Sequence, residues 1–325
     1  MLKLKVALST VCLMAGASAN AGVIDLGSMM GGANIYALQN FSASGSSVEG
    51  ALIAGGKVEL ANYAVNGSNK DAYGANGYTV VAGKDLKLTG GSLSNGLVTA
   101  GGTMTLNGTV KPPVTSVSPV DFAASAAYYS ALSTSLAAVG GTGSVAKLYS
   151  GVMVTGSGKG GVEVFNVASE LFRTSSSWTL DKLTAGQTLI FNVSGSAASF
   201  NDGGISFDKL GAYNVLFNFF EATDLNLKGI IGSVLAPKAS VSASSGAVTG
   251  QVVVNNWASG VAVKSDHYFK AVELASFRAG ASDAVAAVPE PGTVALLLAG
   301  LGALAMTTRR RKAVQAAFTP IFERG

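Results

Sequence analysis

Three segments of the chain share one pattern: Leu52-Ile53-Ala54-Gly55-Gly56-Lys57-Val58-Glu59-Leu60, Val80-Val81-Ala82-Gly83-Lys84-Asp85-Leu86-Lys87-Leu88 and Val98-Thr99-Ala100-Gly101-Gly102-Thr103-Met104-Thr105-Leu106. In each, an alanine is followed by glycine and then by apolar residues four and six positions further on. Because successive side chains of a strand point to opposite faces, these apolar residues should point inward and their neighbours outward. The expected inward residues are Val58, Leu60, Leu86, Leu88, Met104 and Leu106, and the expected outward ones include Lys57, Glu59, Thr103 and Thr105.

The spacing of the pattern indicates how the strands are stacked. Ala54 and Ala82 are 28 residues apart, and Ala82 and Ala100 are 18 apart. Eighteen residues suit one rung, a circuit of short strands around a three-sided coil, and the longer gap predicts a loop from Asn62 to Gly77. A repeated unit that buries its face only by stacking is typical of a solenoid. The sequence therefore predicts an all-β protein, a β-helix; a β-sandwich is the alternative.

The second half of the chain has a related texture. Val234 and Val252 lie 18 residues apart in two similar segments, which predicts another pair of rungs. The stretches 187–193 and 215–220 are also expected to be strands. Between the halves, one amphipathic helix is predicted over about residues 120–139, packed against the flank of the coil. Its apolar residues at helical spacing are Phe122, Ala126, Tyr129, Leu132 and Leu136.

The N-terminal segment is predicted to be a signal peptide covering residues 1–21. Lys3 and Lys5 precede an apolar stretch at positions 6–17, and small residues follow where a signal peptidase cleaves. The chain should therefore be exported. The residues of the predicted cleavage site are Ala19, Ala21 and Gly22, with Gly22 as the new N-terminus.

The C-terminal segment carries three features in a fixed order. A proline-bracketed motif is followed by an apolar run at positions 294–306 and then by a basic cluster. The stretch 292–308 has 17 residues, short of the roughly 20 that span a bilayer comfortably, so a transient inner-membrane anchor is expected. The residues concerned are Val288, Pro289, Glu290 and Pro291 in the motif, and Arg309, Arg310, Arg311 and Lys312 in the cluster.

This order closely resembles the PEP-CTERM sorting signal of Gram-negative bacteria. The resemblance implies that an exosortase handles the protein at the Pro-Glu-Pro motif and that the product reaches the cell surface or extracellular matrix. Residues 280–287 are then a linker and 288–312 the signal. The tail at 313–325 is longer than such signals usually carry, and its role is open.

The charge of the chain excludes one class of partner. The net charge of +4 comes from the terminal segments, and the body between them is close to neutral. Nucleic-acid binding rests on clustered Lys and Arg, so no nucleic-acid partner is expected. Cys12, the one cysteine, lies in the predicted signal peptide. The body should hold no disulfide, and no cofactor is expected.

The body between the two signals resembles the choice-of-anchor A domain. The resemblance rests on Val48-Glu49-Gly50, the Ala-Gly-Gly corners, Val120-Asp121-Phe122 and Gly232-Ser233-Val234-Leu235-Ala236-Pro237. It covers about residues 23–275, within an expected domain at 22–279, and implies an adhesive β-helix on a bacterial surface. The Leu-Ala-Pro segment is also similar to the last coils of bacterial ice-binding proteins.

Candidate catalytic residues are few. His267 is the only histidine and follows Asp266, but neighbours on a strand point to opposite faces and no nucleophile elbow accompanies them. Ser144 and Lys147 fit Ser-x-x-Lys without its partner motifs. The stretch 156–161 is glycine-rich without the spacing of a phosphate loop. We interpret these three features as a surface histidine, a chance match and a turn.

A metal site has weak support. Cys/His zinc sites are excluded from the body by its single histidine and missing cysteine. Asp202, Asp208, Glu221 and Asp224 have no calcium-loop spacing and are interpreted as solvated carboxylates in turns.

Two functions from different classes remain, with ice binding as a third. The first is a non-enzymatic surface adhesin whose hydroxyl- and amide-lined faces bind exopolysaccharide or neighbouring copies. The second is a polysaccharide-active β-helix lyase or hydrolase, which would need convergent carboxylates, whereas only 12% of the residues are charged. Aromatic residues expected to stack on sugar rings are Tyr63, Tyr73, Tyr78, Trp178 and Trp257.

Overall fold

The computed structural model describes residues 21–68, 77–199, 206–243 and 246–277. These residues belong to one compact unit that ends at Gly280. The strands before the first helix are β1 (Gly22–Ile24), β2 (Ile35–Ala37), β3 (Phe41–Ser44), β4 (Ser47–Val48), β5 (Leu52–Ala54), β6 (Val58–Val65), β7 (Tyr78–Ala82), β8 (Leu86–Leu93), β9 (Leu97–Ala100), β10 (Met104–Val110) and β11 (Val114–Thr115).

Helix α1 (Phe122–Ala137) separates these strands from the second half. The elements after it are β12 (Ser144–Leu148), β13 (Gly151–Thr155), β14 (Val162–Ala168), helix α2 (Glu170–Arg173), β15 (Trp178–Asp181), β16 (Thr188–Ser194), β17 (Ala197–Ser199), a 3-10 helix (Asp208–Ala212), β18 (Asn214–Asn218), β19 (Asp224–Asn226), β20 (Ile230–Ile231), β21 (Ser233–Val241), β22 (Ala247–Thr249), β23 (Val252–Ala258), β24 (Ala262–Lys264) and β25 (Val272–Leu274). The 120–139 helix prediction is confirmed; α2 and the 3-10 helix were not predicted.

Most strands join one large parallel sheet. Twenty of the described strands belong to it, while β12, β13 and β15 form a small sheet and β1 pairs with β25. The all-β class is confirmed, and a large parallel sheet is consistent with the predicted β-helix. A β-sandwich is built of antiparallel sheets, so the alternative fits this topology poorly.

The pairings of the large sheet run in three rows. Row A is β14–β16–β18–β21–β23–β2–β5–β7–β9–β11. Row B is β17–β19, then the C-terminal parts of β21 and β23, then β3–β6–β8–β10. Row C is β20–β22–β24–β4 and the C-terminal parts of β6, β8 and β10. The long strands bend from one row into the next.

The two halves of the chain meet in the middle of each row. Ile35 pairs with Val252 in row A, Phe41 with Trp257 in row B and Val48 with Val263 in row C. The rings of Phe41 and Trp257 stack with centroids 5.9 Å apart. The strands from β2 to β11 therefore extend the sheet from its middle to one end. After α1, the strands from β14 to β24 extend from the other end back to the middle, where they pair with β2, β3 and β4.

The predicted register within the first half is confirmed. Val58 pairs with Leu86 and Leu86 with Met104, and the next inward positions follow in step. Val234 also pairs with Val252, as the 18-residue spacing predicts. The expected loop from Asn62 is wrong at its start, because β6 continues to Val65. Asn62 has a φ of 49° and forms the bend between rows B and C.

From β14 to β9, most residues of row A are buried, on both of its faces. One face joins the interior core, and the other lies under α1 and the N-terminal segment. The helix begins at Asp121, whose carboxylate accepts a hydrogen bond from the Ala124 N–H at 2.9 Å, a common N-cap. Its buried residues include Tyr129, Leu132 and Leu136, as predicted from the apolar spacing.

The predicted membrane-entering run at 294–306 lies outside the described residues, as does most of the predicted signal peptide. Within the ranges that the structure describes, no helix is long and apolar enough to cross a bilayer.

Candidate functional site

The outward residues of row B form two parallel files of mostly short polar side chains. Each file takes one residue from each successive strand, and adjacent strands in a sheet lie about 4.8 Å apart. The first file is Ala258, Ser42, Glu59, Lys87 and Thr105. The second file is Ser44, Ala61, Thr89 and Asn107. The predicted outward positions of Glu59 and Thr105 are thus confirmed.

Part of this surface is concave and forms what we call the groove. It has a volume of about 530 Å³. Its lining is short and mostly hydroxyl or methyl in character apart from the longer side chains of Glu59 and Lys87. The outward-facing lining residues are Ser42, Ser44, Glu59, Ala61, Lys87, Thr89, Ser242, Ala258 and Gly260. Hydroxyls can donate and accept hydrogen bonds, so the groove suits a neutral, polyhydroxylated ligand.

Close backbone packing fixes the shape of the groove at its bend. Gly91 has a φ of 81°, which favours glycine. A Cβ there would lie 2.1 Å from the Tyr63 carbonyl oxygen. The bend of β8 against β6 therefore requires glycine, and it turns the strands away from row B just beyond Thr89.

An ion pair borders the groove. Lys57 Nζ lies 3.3 Å from Asp85 Oδ2, with both side chains about half exposed. The pKa of the Asp85 carboxyl is held below its usual range by the hydrogen bond from the Thr103 N–H and by Lys57. Exposed pairs of this kind add little stability, so we regard it as part of a mixed-charge rim.

The aromatic residues expected to stack on sugars are not available for it. Tyr63, Tyr78, Trp178 and Trp257 are at most 8% exposed, and Tyr73 lies outside the described residues. Trp178 packs against Phe172 at 5.4 Å and Phe191 at 5.6 Å between ring centroids. These side chains lie in the hydrophobic core clusters instead, where their large apolar area is buried. The stacking prediction is wrong for the four described residues.

His267 has a structural contact. Its Nε2 lies 2.6 Å from the Tyr213 carbonyl oxygen, and since a carbonyl only accepts, Nε2 carries the proton and donates it. That nitrogen is therefore not placed to receive a proton from a nucleophile. The adjacent Asp266 is exposed.

The Ser-x-x-Lys match does not form a catalytic pair. Ser144 and Lys147 lie on one strand at odd spacing, and the side chains of such residues point to opposite faces. Lys147 Nζ donates to the Thr174 carbonyl at 2.6 Å and to the Thr174 hydroxyl at 3.1 Å. The lysine thus ties β12 to the segment after α2.

The glycine-rich stretch 156–161 closes over a buried carboxylate. Glu163 is fully buried and accepts hydrogen bonds from the N–H and hydroxyl of Ser157 and from the hydroxyl of Thr142. Burial raises the pKa of its carboxyl, but the hydrogen bonds and the charge of Lys159 outweigh burial and bring the pKa below its usual value. The stretch is therefore a turn, as interpreted.

The three described calcium candidates are each engaged locally. Glu221 accepts from the Gly195 N–H at 2.8 Å, Asp208 from the Ser206 hydroxyl and Asp224 from the Thr223 hydroxyl; Asp202 lies outside the described residues. In the part of the chain that the structure describes, no three His, Cys, Asp or Glu side chains gather closely enough to hold a metal ion.

Of the processing residues, the structure describes only Ala21 and Gly22. Gly22 is the first residue of β1 and pairs with Leu274 of β25. The other cleavage-site residue and all residues of the sorting motif and basic cluster lie outside the described ranges.

Sequence reasoning missed the groove residues Ser42, Ser44 and Thr89. Their signal is the alternation of buried and exposed positions in Phe41–Ser44 and Leu86–Leu93. Phe41–Ser44 has no Ala-Gly corner before it and so does not fit the repeat, and Thr89 lies one residue beyond the repeat segment that ends at Leu88.

Two family models match the chain. Residues 28–265 match an ice-binding-like adhesive domain, and residues 287–312 match the PEP-CTERM protein-sorting motif. No curated protein and no solved structure gives a match. The sorting motif marks an exported surface protein of Gram-negative bacteria that an exosortase processes, as predicted. Since the first match covers most of the chain, this protein belongs to the ice-binding-like adhesive domain family.

Proposed function

We propose that this chain is a non-enzymatic surface or matrix adhesin that binds exopolysaccharide through the groove on row B and associates with neighbouring copies. The observation that carries the proposal is the lining of the groove, where hydroxyls and small side chains repeat at strand spacing over a parallel sheet. Polysaccharides also repeat their hydroxyls at a fixed spacing. Each contact is weak, and many contacts along one polymer raise retention through multivalency.

We also propose that the fold is a β-helix and that the body is a choice-of-anchor A domain. The three rows of parallel pairings are taken as the three faces of a β-helix, with α1 along the first face. Such a coil offers long, regular outer faces. The resemblance of the body to the choice-of-anchor A domain supports the same function, because that domain is regarded as adhesive.

Processing at both ends is the second part of the proposal. A signal peptidase would release Gly22, and an exosortase would act at Val288, Pro289, Glu290 and Pro291 while Arg309–Lys312 stays at the cytoplasmic side of the inner membrane. The start of β1 at Gly22 supports this cleavage point, since no ordered strand would be cut. Intact mass spectrometry of the exported protein should give a chain that begins at Gly22 and lacks the basic cluster. A mass that still includes Arg309–Lys312 would count against sorting.

The functional test is retention without cleavage. Exported protein, immobilised on beads, should retain labelled exopolysaccharide from the producing bacterium and leave its length unchanged on size-exclusion chromatography. Progressive shortening that is abolished by His267→Ala or by chelation would favour the polysaccharide-active enzyme instead.

Ice binding is a separate candidate because the matching family model is described as ice-binding-like. Flat threonine arrays would suit that role. The first file on row B instead places Glu59 and Lys87 at its centre, and this mixed charge favours a polymer ligand. Measuring whether the same protein inhibits the recrystallisation of ice decides between ice and polysaccharide as the ligand.

A further inference from the structure

Among the residues that the structure describes, one end of the large sheet is open. Row B ends at β10, and among the described residues β10 pairs only with β8. The inward positions of β8, namely Leu86, Leu88 and Leu93, are fully buried. The matching positions of β10 are only partly buried, although they contact the same core; they are Met104, Leu106 and Val110. The core is therefore incompletely covered at this end.

The open end also presents main-chain groups that no described strand pairs with. The Leu86 N–H donates to the Thr103 carbonyl at 2.9 Å, so Thr103 faces β8. In a parallel ladder alternate residues bond to opposite sides, which directs the peptide groups of Met104 and Leu106 to the free edge. Such an edge is a template for another strand. Val114 and Val117 are 50% and 64% exposed near the same end.

At the opposite end of the sheet, row A is closed. Row A ends there at β14, and Phe165 of that strand is fully buried. The small sheet and α2 supply buried apolar side chains to the same core, among them Val152, Val154, Phe172 and Trp178. The N–H groups of Thr142 and Gly143 also donate to the Val164 carbonyl at the outer edge of β14. A second molecule therefore finds the row A edge covered at this end, which disfavours head-to-tail stacking through row A.

We propose that two copies of this chain join end to end through their β10 edges, about a two-fold axis. Pairing of one β10 edge with the same edge of a second copy is isologous, and isologous pairing closes at two copies. The two β10 strands would run antiparallel and cover each other's Met104, Leu106 and Val110. The inference rests on the self-association part of the proposed function and names its surface and stoichiometry.

The charge distribution of the edge supports a second copy as the occupant. Residues 104–110 carry no charge, and the nearest cation, Lys111, follows the strand. In an antiparallel pair the two Lys111 side chains lie at opposite ends, so no like charges meet. Edge strands that must stay free usually carry charge or proline within the strand.

The molecule already contains a joint between strands that are remote in sequence. Within one chain, β2 pairs with β23 although their residues are more than 200 positions apart in sequence. Strands of this sheet can therefore pair in register without a short connection between them, here in parallel, whereas the proposed joint is antiparallel. The end-to-end dimer would hold two grooves on one particle and raise polymer retention through multivalency.

Sedimentation of the exported full-length product tests the proposal. Wild type should have twice the mass of one chain. Leu106→Lys should lose the dimer, because it places two cations at the joined edge. Thr105→Lys is the matched control: it adds the same charge to the same strand on the outward face and should stay dimeric. Thermal melting followed by circular dichroism should show that both variants remain folded.

Cross-linking locates the joint. Leu106→Cys should form a disulfide-linked dimer on mild oxidation, whereas Ser176→Cys, exposed near the closed end, should not. A wild type that stays monomeric at every attainable concentration overturns the proposal. This holds regardless of whether residues 69–76, the C-terminal segment or another protein covers the edge. A dimer that survives Leu106→Lys and lacks the cross-link overturns it too. A dimer that retains no polysaccharide contradicts the groove proposal and leaves this one standing.

Discussion

Glu163 is a fully buried carboxylate in a protein with few charges. Its three hydrogen bonds come from Ser157 and Thr142 on two separate segments, so the side chain holds β14 to the turn before it and to the loop after α1. Hydrogen bonds to an ionised group are stronger than neutral ones. The carboxylate thus compensates for the cost of its own burial.

We expect Glu163→Gln to destabilise the fold by about 1.5 kcal/mol at neutral pH, because neutral hydrogen bonds replace charge-assisted ones. The carboxyl pKa is lower in the folded than in the unfolded state. The stability that the Glu163 carboxylate contributes is therefore fully present above the pKa of the unfolded state. It is lost as the pH falls through the pKa of the folded state. Denaturant unfolding at neutral and acid pH should show the difference between wild type and variant shrink in acid. Glu59→Gln, at an exposed carboxyl, is the control and should change little.

At the level of elements, an asparagine ladder attaches α1 to row A. Asn166, Asn192 and Asn218 pair in register on β14, β16 and β18. Asn192 Nδ2 donates to the Leu136 carbonyl at 2.7 Å, and Asn218 Nδ2 donates to the Ser133 carbonyl at 2.9 Å. The ladder satisfies polar groups beneath a helix that is otherwise held by apolar contacts.

Replacing the middle of this ladder should be costly. Asn192→Leu removes the hydrogen bond to the Leu136 carbonyl. It also removes Asn192 Oδ1, which in the wild type accepts a hydrogen bond from Asn218 Nδ2 at 2.9 Å. We expect a loss of about 3 kcal/mol in the free energy of unfolding, since buried unsatisfied groups pay their desolvation cost. Asn166→Leu, at the exposed end of the ladder, is the matched control and should cost less than about 1 kcal/mol. Equal losses in the two variants would refute this account of helix docking.

The inward register makes a second prediction at this scale. Val58, Leu86 and Val252 are fully buried in one core, whereas Met104 is only partly buried. An aspartate at any of the first three positions buries an unpaired charge and should cost several kcal/mol, about 3–5. Met104→Asp should cost clearly less, because its carboxylate can reach water at the open end. Chemical denaturation of the four variants measures this order, and wild-type stability in Val58→Asp would show that the register is wrong.

These elements also explain what the sequence could predict. The register from Val58 to Met104 followed from local alternation and a short repeat. The second half repeats Phe-Asn at 165–166, 191–192 and 217–218, every 26 residues, but the loops between the copies differ in sequence, which obscures the period. The stacked rings of Phe165, Phe191 and Phe217 lie 5.1 Å apart in succession. Burial of Trp178 and Trp257 could not be predicted, because composition does not say which face an isolated tryptophan occupies.

At the scale of the whole molecule, the pairing of the chain's first strands with its last ones sets the architecture. Ile35 and Val252 are far apart in sequence, and no local signal links them. Asn34 reinforces the joint: its Nδ2 donates to the Gly250 carbonyl at 2.8 Å, and its Oδ1 accepts from the Gly50 N–H at 3.1 Å. Both halves thus contribute to the groove, with Ser42 and Glu59 from the first and Ser242 and Ala258 from the second.

The groove as the polymer-binding surface is the central claim, and titration of exopolysaccharide into groove variants tests it most directly. Ser44→Ala combined with Thr89→Ala removes two hydroxyls of the second file, and Thr179→Ala removes one exposed strand hydroxyl outside the groove. Two neutral hydrogen bonds amount to about 1.4 kcal/mol or more, or roughly a tenfold change in Kd. We predict that the double variant binds about tenfold more weakly, while Thr179→Ala binds like wild type. Unchanged affinity in the double variant, with the fold intact, would contradict the account.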